Sequence, residues 1–184
     1  AALDLLHQAE QKYMVTPLPD IRSIAAMKTR VWIKLGWLDK AAIWADKTGI
    51  RVDDDLSYKR EHDHITLARL LIARYRITKE DVLLKDAAKL LKRLLTAAEE
   101  GGRIESVIEI MILQALALEA EDDIDSATKP LAKALKLAEP EGYLRVFVDG
   151  GRPMAALLQA LEKRANEPQR SYLRRLLAAF PSAD

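Results

Sequence analysis

The stretch AEPEGYLRVFVDGGRPMAALLQAL, residues 138–161, decides between two architectures. Pro140-Glu141-Gly142 interrupts a helical pattern. Tyr143 to Val148 then have strand-like composition, and Gly150-Gly151 leads back into helical pattern. A strand needs a partner strand, and no other segment of the chain offers one. Pro153 suits the first turn of a helix, where its missing N–H costs nothing. The stretch therefore reads as a helix pair, Glu141 to Val148 and Pro153 to Arg164, despite its β-branched residues. Propensity is a weak prior that packing overrides. Asp149-Gly150-Gly151 becomes an interhelix turn and not a phosphate loop.

The rest of the chain supports that choice by repeating. Pro17 and Pro19 close a first helix, and Asp20 is placed to cap the next. Ile21, Ile24, Ala25, Val31, Trp32 and Leu35 recur at helical spacing up to Gly36. A second helix runs from about Leu38 to Lys47, with Gly49 where a C-cap glycine belongs. RVDDDLSYKR, residues 51–60, is the polar linker. Helical patterns then cover 63–77, 85–98, 104–119 and 126–138, and a last helix covers 169–180. The second helix of each pair opens alike, with LDKAA at 38–42, LKDAA at 84–88 and IDSAT at 124–128. Ala41, Ala87 and Ala127 stand 46 and 40 residues apart. A period near 40, with a small residue where two helices approach, is a helical-repeat signature. The competing reading is a generic bundle with accidental similarity.

The fold class expected is all-α, a superhelix (α-solenoid) of TPR-like helix pairs. It forms one domain over 1–184, with pairs at about 21–49, 61–101, 103–139 and 141–165 and a terminal helix at 169–180. The start AALDLLHQAEQKY reads as the middle of a longer multidomain protein cut at a helix.

Composition narrows the function classes. The chain has 184 residues, a formal net charge of +1, 31% charged and 5% aromatic residues, and no cysteine. Nothing global draws it to nucleic acid or an anionic membrane. Thiol nucleophiles and cysteine-based zinc sites are excluded. No apolar run reaches the roughly 18 residues that span a bilayer, and no signal-peptide pattern opens the chain. A cytoplasmic location fits these features.

Several blocks resemble the helical-repeat region of MalT-like transcriptional regulators of the LuxR class. They are YKREHDHITLARLLIA (58–73), GGRIESVIEIMILQALAL (101–118), AEPEGYLRVFVDGG with RPM (138–154) and LRRLLAAF (173–180). Residues 1–50 match more loosely. The turn Glu121-Asp122-Asp123 departs from the family in lacking a glycine, and Lys133 departs from a repeat motif that tends to carry arginine. The resemblance implies a cytoplasmic regulator with an ATP-binding module before this region and a DNA-binding helix-turn-helix after it. ATP would then be the cofactor of the missing N-terminal module, with none in this chain. The implied partners are a small-molecule effector or a regulatory protein, the other domains of the same protein, and possible self-association.

No chemistry-bearing motif competes with this. GxxxxGK[ST], GxSxG, HExxH and GxGxxG after a strand are all missing, so neither catalysis nor a metal site is expected. His62 and His64 are two apart, whereas helical metal pairs favour three or four. Asp53-Asp54-Asp55 lacks the spacing of a calcium loop and reads as a solvated linker. Arg164, Arg170, Arg174 and Arg175 read as a charged helix face, so direct nucleic-acid binding is not expected. Trp32, Trp37 and Trp44 read as packing rather than sugar stacking, with Trp37 nearest the surface. Ile104 to Leu118 is apolar nearly all round, and so must be buried on most sides or used for self-association.

The binding surface of a solenoid is by default its concave face, lined by the first helix of each pair. Two stripes at steps of three and four mark it: Ser23, Met27, Arg30 and Lys34 on one helix, and His62, Thr66, Arg69 and Arg76 on the next, with Ala73 between the last two. Their cations and hydroxyls suit a polar or anionic ligand or an acidic peptide. The alternative is a solvated face.

Overall fold

The structure, a computed structural model, describes residues 2–12 and 21–181. Among these residues it contains ten α-helices, a single 3-10 turn at Tyr58–Arg60, and no strand. The helices are α1 (Ala2–Lys12), α2 (Ile24–Lys34), α3 (Leu38–Thr48), α4 (Glu61–Thr78), α5 (Asp81–Glu100), α6 (Ile104–Ala120), α7 (Ile124–Ala138), α8 (Arg145–Val148), α9 (Gly151–Glu162) and α10 (Glu167–Ala178). The fold is an all-α, TPR-like helix-pair repeat. The expectations placed on Pro17, Pro19 and Asp20 lie outside the described residues. Ser23 caps α2, its Oγ accepting from the Ala26 N–H at 3.1 Å.

The alanines that mark the repeat are its close-packing points. Ala41, Ala87 and Ala127 are each 0% exposed. A methyl side chain there lets helix backbones approach where a larger one would force them apart.

The helices end on a recurring turn. After α2, α3, α5, α6 and α7 a residue takes the left-handed conformation: Gly36, Gly49, Gly102, Asp122 and Gly142, at φ 61–75°. The following N–H bonds back to the helix, Trp37 to the Trp32 carbonyl, Ile50 to Ala45, Arg103 to Ala98, Asp123 to Leu118 and Tyr143 to Ala138, at 2.9–3.3 Å. This is the Schellman turn, which satisfies carbonyls that a helix end leaves open. Asp122 performs it without the glycine that the other four turns use.

Residues 143–148 form no strand. They contain the short helix α8, whose Phe147 is fully buried. It begins later than residue 141 because the left-handed turn at Gly142 ends α7 first. Gly150 follows because a Cβ there would meet the Met154 Cβ at 2.7 Å.

Contacts within the chain cluster into two compact units, Ala1–Ala97 and Ala98–Asp184. In the first, α2 packs against α1, α3 and α4, and α3 packs against α4. In the second, α6 packs against α7, and α9 packs against α6, α7, α8 and α10. Ten of the seventeen residues of α6 are buried, as its nearly uniform apolarity requires. No helix of the described residues is long and apolar enough to cross a membrane.

Candidate functional site

The two stripes expected to line a binding face lie on α2 and α4, which pack against each other in the first unit. Ser23 does two jobs: besides capping α2, its hydroxyl donates to Asp63 Oδ1 at 3.3 Å. Arg30 Nε donates to Thr66 Oγ1 at 2.8 Å, and Arg30 Nη2 donates to the His62 carbonyl at 3.3 Å. The Thr66 hydroxyl donates to the same carbonyl at 2.8 Å. A guanidinium thus spans the helix pair, using a hydroxyl and a carbonyl as acceptors that α4 presents one turn apart.

The stripe residues differ in how far they reach solvent. Thr66 is 0% exposed, and Ser23, Met27, Arg30 and His62 are half-buried. These groups are drawn together because two first helices of successive pairs are neighbours, and their polar side chains satisfy one another there. Lys34 is exposed at the last turn of α2, and Arg69 and Arg76 are half-buried further along α4.

Beyond the end of α4 lies a cleft of about 530 Å³ against the α2–α3 turn, lined by Trp37, Asp39, Lys40, Arg74, Ile77 and Thr78 among others. Trp37 is 44% exposed, with Lys40 Nζ over its ring at 4.3 Å. Ile77 and Leu35 are also exposed. Trp44 is buried and Trp32 half-buried, so the three tryptophans divide between packing and surface as their positions implied.

The linker 51–57 is held rather than loose. Arg93 of α5 donates to the carbonyls of Val52 and Asp54. Lys89 pairs with Asp53. The Asp54 carboxylate accepts from the Arg51 N–H at 3.0 Å and lies 3.7 Å from Arg60 and 3.5 Å from His64 Nε2. The Arg51 bond first, with His64 and Arg60 adding to it, keeps the Asp54 carboxyl below its ordinary range. His64 is fully buried, and its Nδ1 faces the Arg60 carbonyl at 2.9 Å, so that nitrogen carries a proton. The expectation of a solvated Asp53-Asp54-Asp55 linker holds for exposed Asp53 and Asp55 but not for Asp54. Among the described residues, no three His, Asp or Glu side chains come together as metal ligands.

A family model described as the MalT-like TPR region matches residues 1–164. That span runs from the start of the chain through α9 and the turn after it. No curated protein and no solved structure matches the chain.

Proposed function

We propose a function that proceeds from one established premise: the chain belongs to the MalT-like TPR region family. It is the sensor and interaction segment of a LuxR-class, ATP-dependent transcription activator. An effector or regulatory partner binds the face built by α2 and α4. Binding favours one arrangement of the helix pairs, and that bias passes to ATP-binding and DNA-binding domains outside this chain. The signal has a strict requirement: a ligand with equal affinity for both arrangements would shift nothing.

The observation that carries this reading is the family match over 164 residues. The cationic Lys34, Arg69 and Arg76 on the α2–α4 face support it, because they suit an anionic or polar ligand. A second reading, a scaffold that binds only protein, is favoured by the exposed Leu35, Trp37 and Ile77, since large exposed apolar side chains mark contact surfaces when they cluster.

If the segment is a sensor and nothing more, the purified chain will neither hydrolyse ATP nor bind DNA with sequence preference. ATPase assays and gel-shift titrations test this. Either activity in the pure chain overturns the assignment of those functions to other domains.

A further inference from the structure

Within the second unit, α7, α9, the turn after α9 and α10 line a cavity of about 140 Å³ that opens to solvent. Its floor is apolar, formed by Leu135 of α7, Leu161 of α9 and Leu173 of α10, with Ala132 at the exposed rim. A space of this kind and size suits an apolar body; an apolar cavity of about 150 Å³ takes a molecule as large as benzene.

The polar groups of the wall carry both signs, with Lys136 and Glu139 three residues apart at the end of α7. Arg164 reaches toward the start of α7, where its Nη1 bonds Asp125 Oδ1 at 2.9 Å. Glu139 stands at the opposite end of α7 with Tyr172. Burial first, and Glu139 second, push the Tyr172 hydroxyl up to about 12, and this hydroxyl donates to the Tyr143 carbonyl. Lys136 also lines the cavity, and it has no ion-pair partner among the described residues. A cation beside an apolar floor calls for an anionic head on an apolar tail. Glu139, three residues from Lys136, repels a second negative charge, which disfavours phosphates and dicarboxylates.

Tyr172, Leu173 and Gln169 of α10 complete the wall, and they lie beyond the residues that the family model matches. The cavity therefore exists only while α10 is docked on α7 and α9.

We infer that this cavity binds a small apolar monocarboxylate, of about the size of 4-methylpentanoate, with its tail against Leu135, Leu161 and Leu173 and its carboxylate at Lys136, and that occupancy clamps α10 in place. Only the use of this clamp as a signal rests on the sensor reading; the site itself does not.

Isothermal titration of the intact chain with 4-methylpentanoate tests it, with the methyl ester as the uncharged control. Saturable binding of the acid is expected, with the ester and Lys136→Met each about tenfold weaker, the loss of one charge-assisted hydrogen bond. Ala132→Phe fills the cavity from an exposed helix position and should abolish binding without changing the far-ultraviolet circular dichroism. Amide exchange in α10 should slow when the acid is bound. Should Ala132→Phe unfold the chain, Lys136→Met still decides, because Lys136 is exposed. The proposal is overturned if the wild type does not bind the acid, if the ester binds equally well, or if binding survives Lys136→Met unchanged. If the acid does not bind while a different compound does, with its binding lost in Arg30→Lys but kept in Ala132→Phe, the sensor reading stands and the cavity alone is refuted.

Discussion

Asp122→Gly should stabilise the protein, although most substitutions do the opposite. Asp122 holds φ 63° in a turn that uses glycine at four other helix ends. A left-handed conformation costs an ordinary L-residue about 1–2 kcal/mol, and aspartate somewhat less. Glycine removes that cost but loosens the unfolded chain, which returns about 0.4–1 kcal/mol. The charge lost contributes little. Asp122 follows the negative end of α6 and precedes the positive end of α7, so its two helix-dipole terms, each about 0.3–1 kcal/mol, oppose each other. The α7 cap survives, because it is the Asp123 carboxylate that accepts from Ser126 N at 3.0 Å. The net gain is about 0.5 kcal/mol, or roughly 1–2 °C in Tm for a chain of this length. Urea titration followed by circular dichroism measures it. Asp122→Asn separates charge from backbone. Gly102→Ala supplies the reverse change at a turn with nothing within 4 Å of the new methyl, and should cost about 1 kcal/mol. A lower midpoint for Asp122→Gly, or an unchanged one for Gly102→Ala, would refute the assignment of this energy to the left-handed turn.

Three further outcomes follow from the packing. Arg93→Met removes both donors that hold the Val52 and Asp54 carbonyls; limited proteolysis should then cut the linker 51–57 faster, with a stability loss of about 2–3 kcal/mol by urea titration. Because the Tyr172 hydroxyl is raised from 10.0 to about 12 in the folded state, its contribution is fully present below pH 10 and lost as pH rises from there through 12. Tyr172→Phe should flatten that alkaline limb in a pH series of thermal melts. Ala127→Leu places a larger side chain at a helix contact with 0% exposure and should lower stability by about 1–3 kcal/mol, seen as a lower Tm.

The helix pairs could be read from the chain because their signals are local. Period-3.6 apolar spacing, a glycine at most helix ends, and one alanine per pair all act within a few residues of where they stand. Residues 143–148 were decided by the same logic, since a strand without a partner has nowhere to place its hydrogen bonds. What escaped the sequence lies in relations between distant residues. Arg30 and Thr66 are 36 positions apart, and Arg93 and Val52 are 41 apart. Periodicity gave each its face but not its partner. Ser23 looked like the start of a binding stripe, yet a serine just before an apolar helix is also an N-cap signal. The burial of His64 was legible, because Leu67, Ala68 and Leu71, three, four and seven residues on, share its helix face. The cavity under α10 could not be anticipated, as no single helix contains its lining.

The claim that this segment is a sensor is tested most directly by a thermal-shift screen of the purified chain against sugars, small acids, nucleotides and aromatic compounds. A sensor gives a saturable shift for at least one class, approaching about 2.7 kcal/mol of stabilisation at a hundred times its Kd, and loses it when the face at Arg30 or the cavity at Ala132 is altered. No shift across the panel, together with capture of a protein partner by the exposed surface at Trp37, would contradict small-molecule sensing and establish the chain as a scaffold.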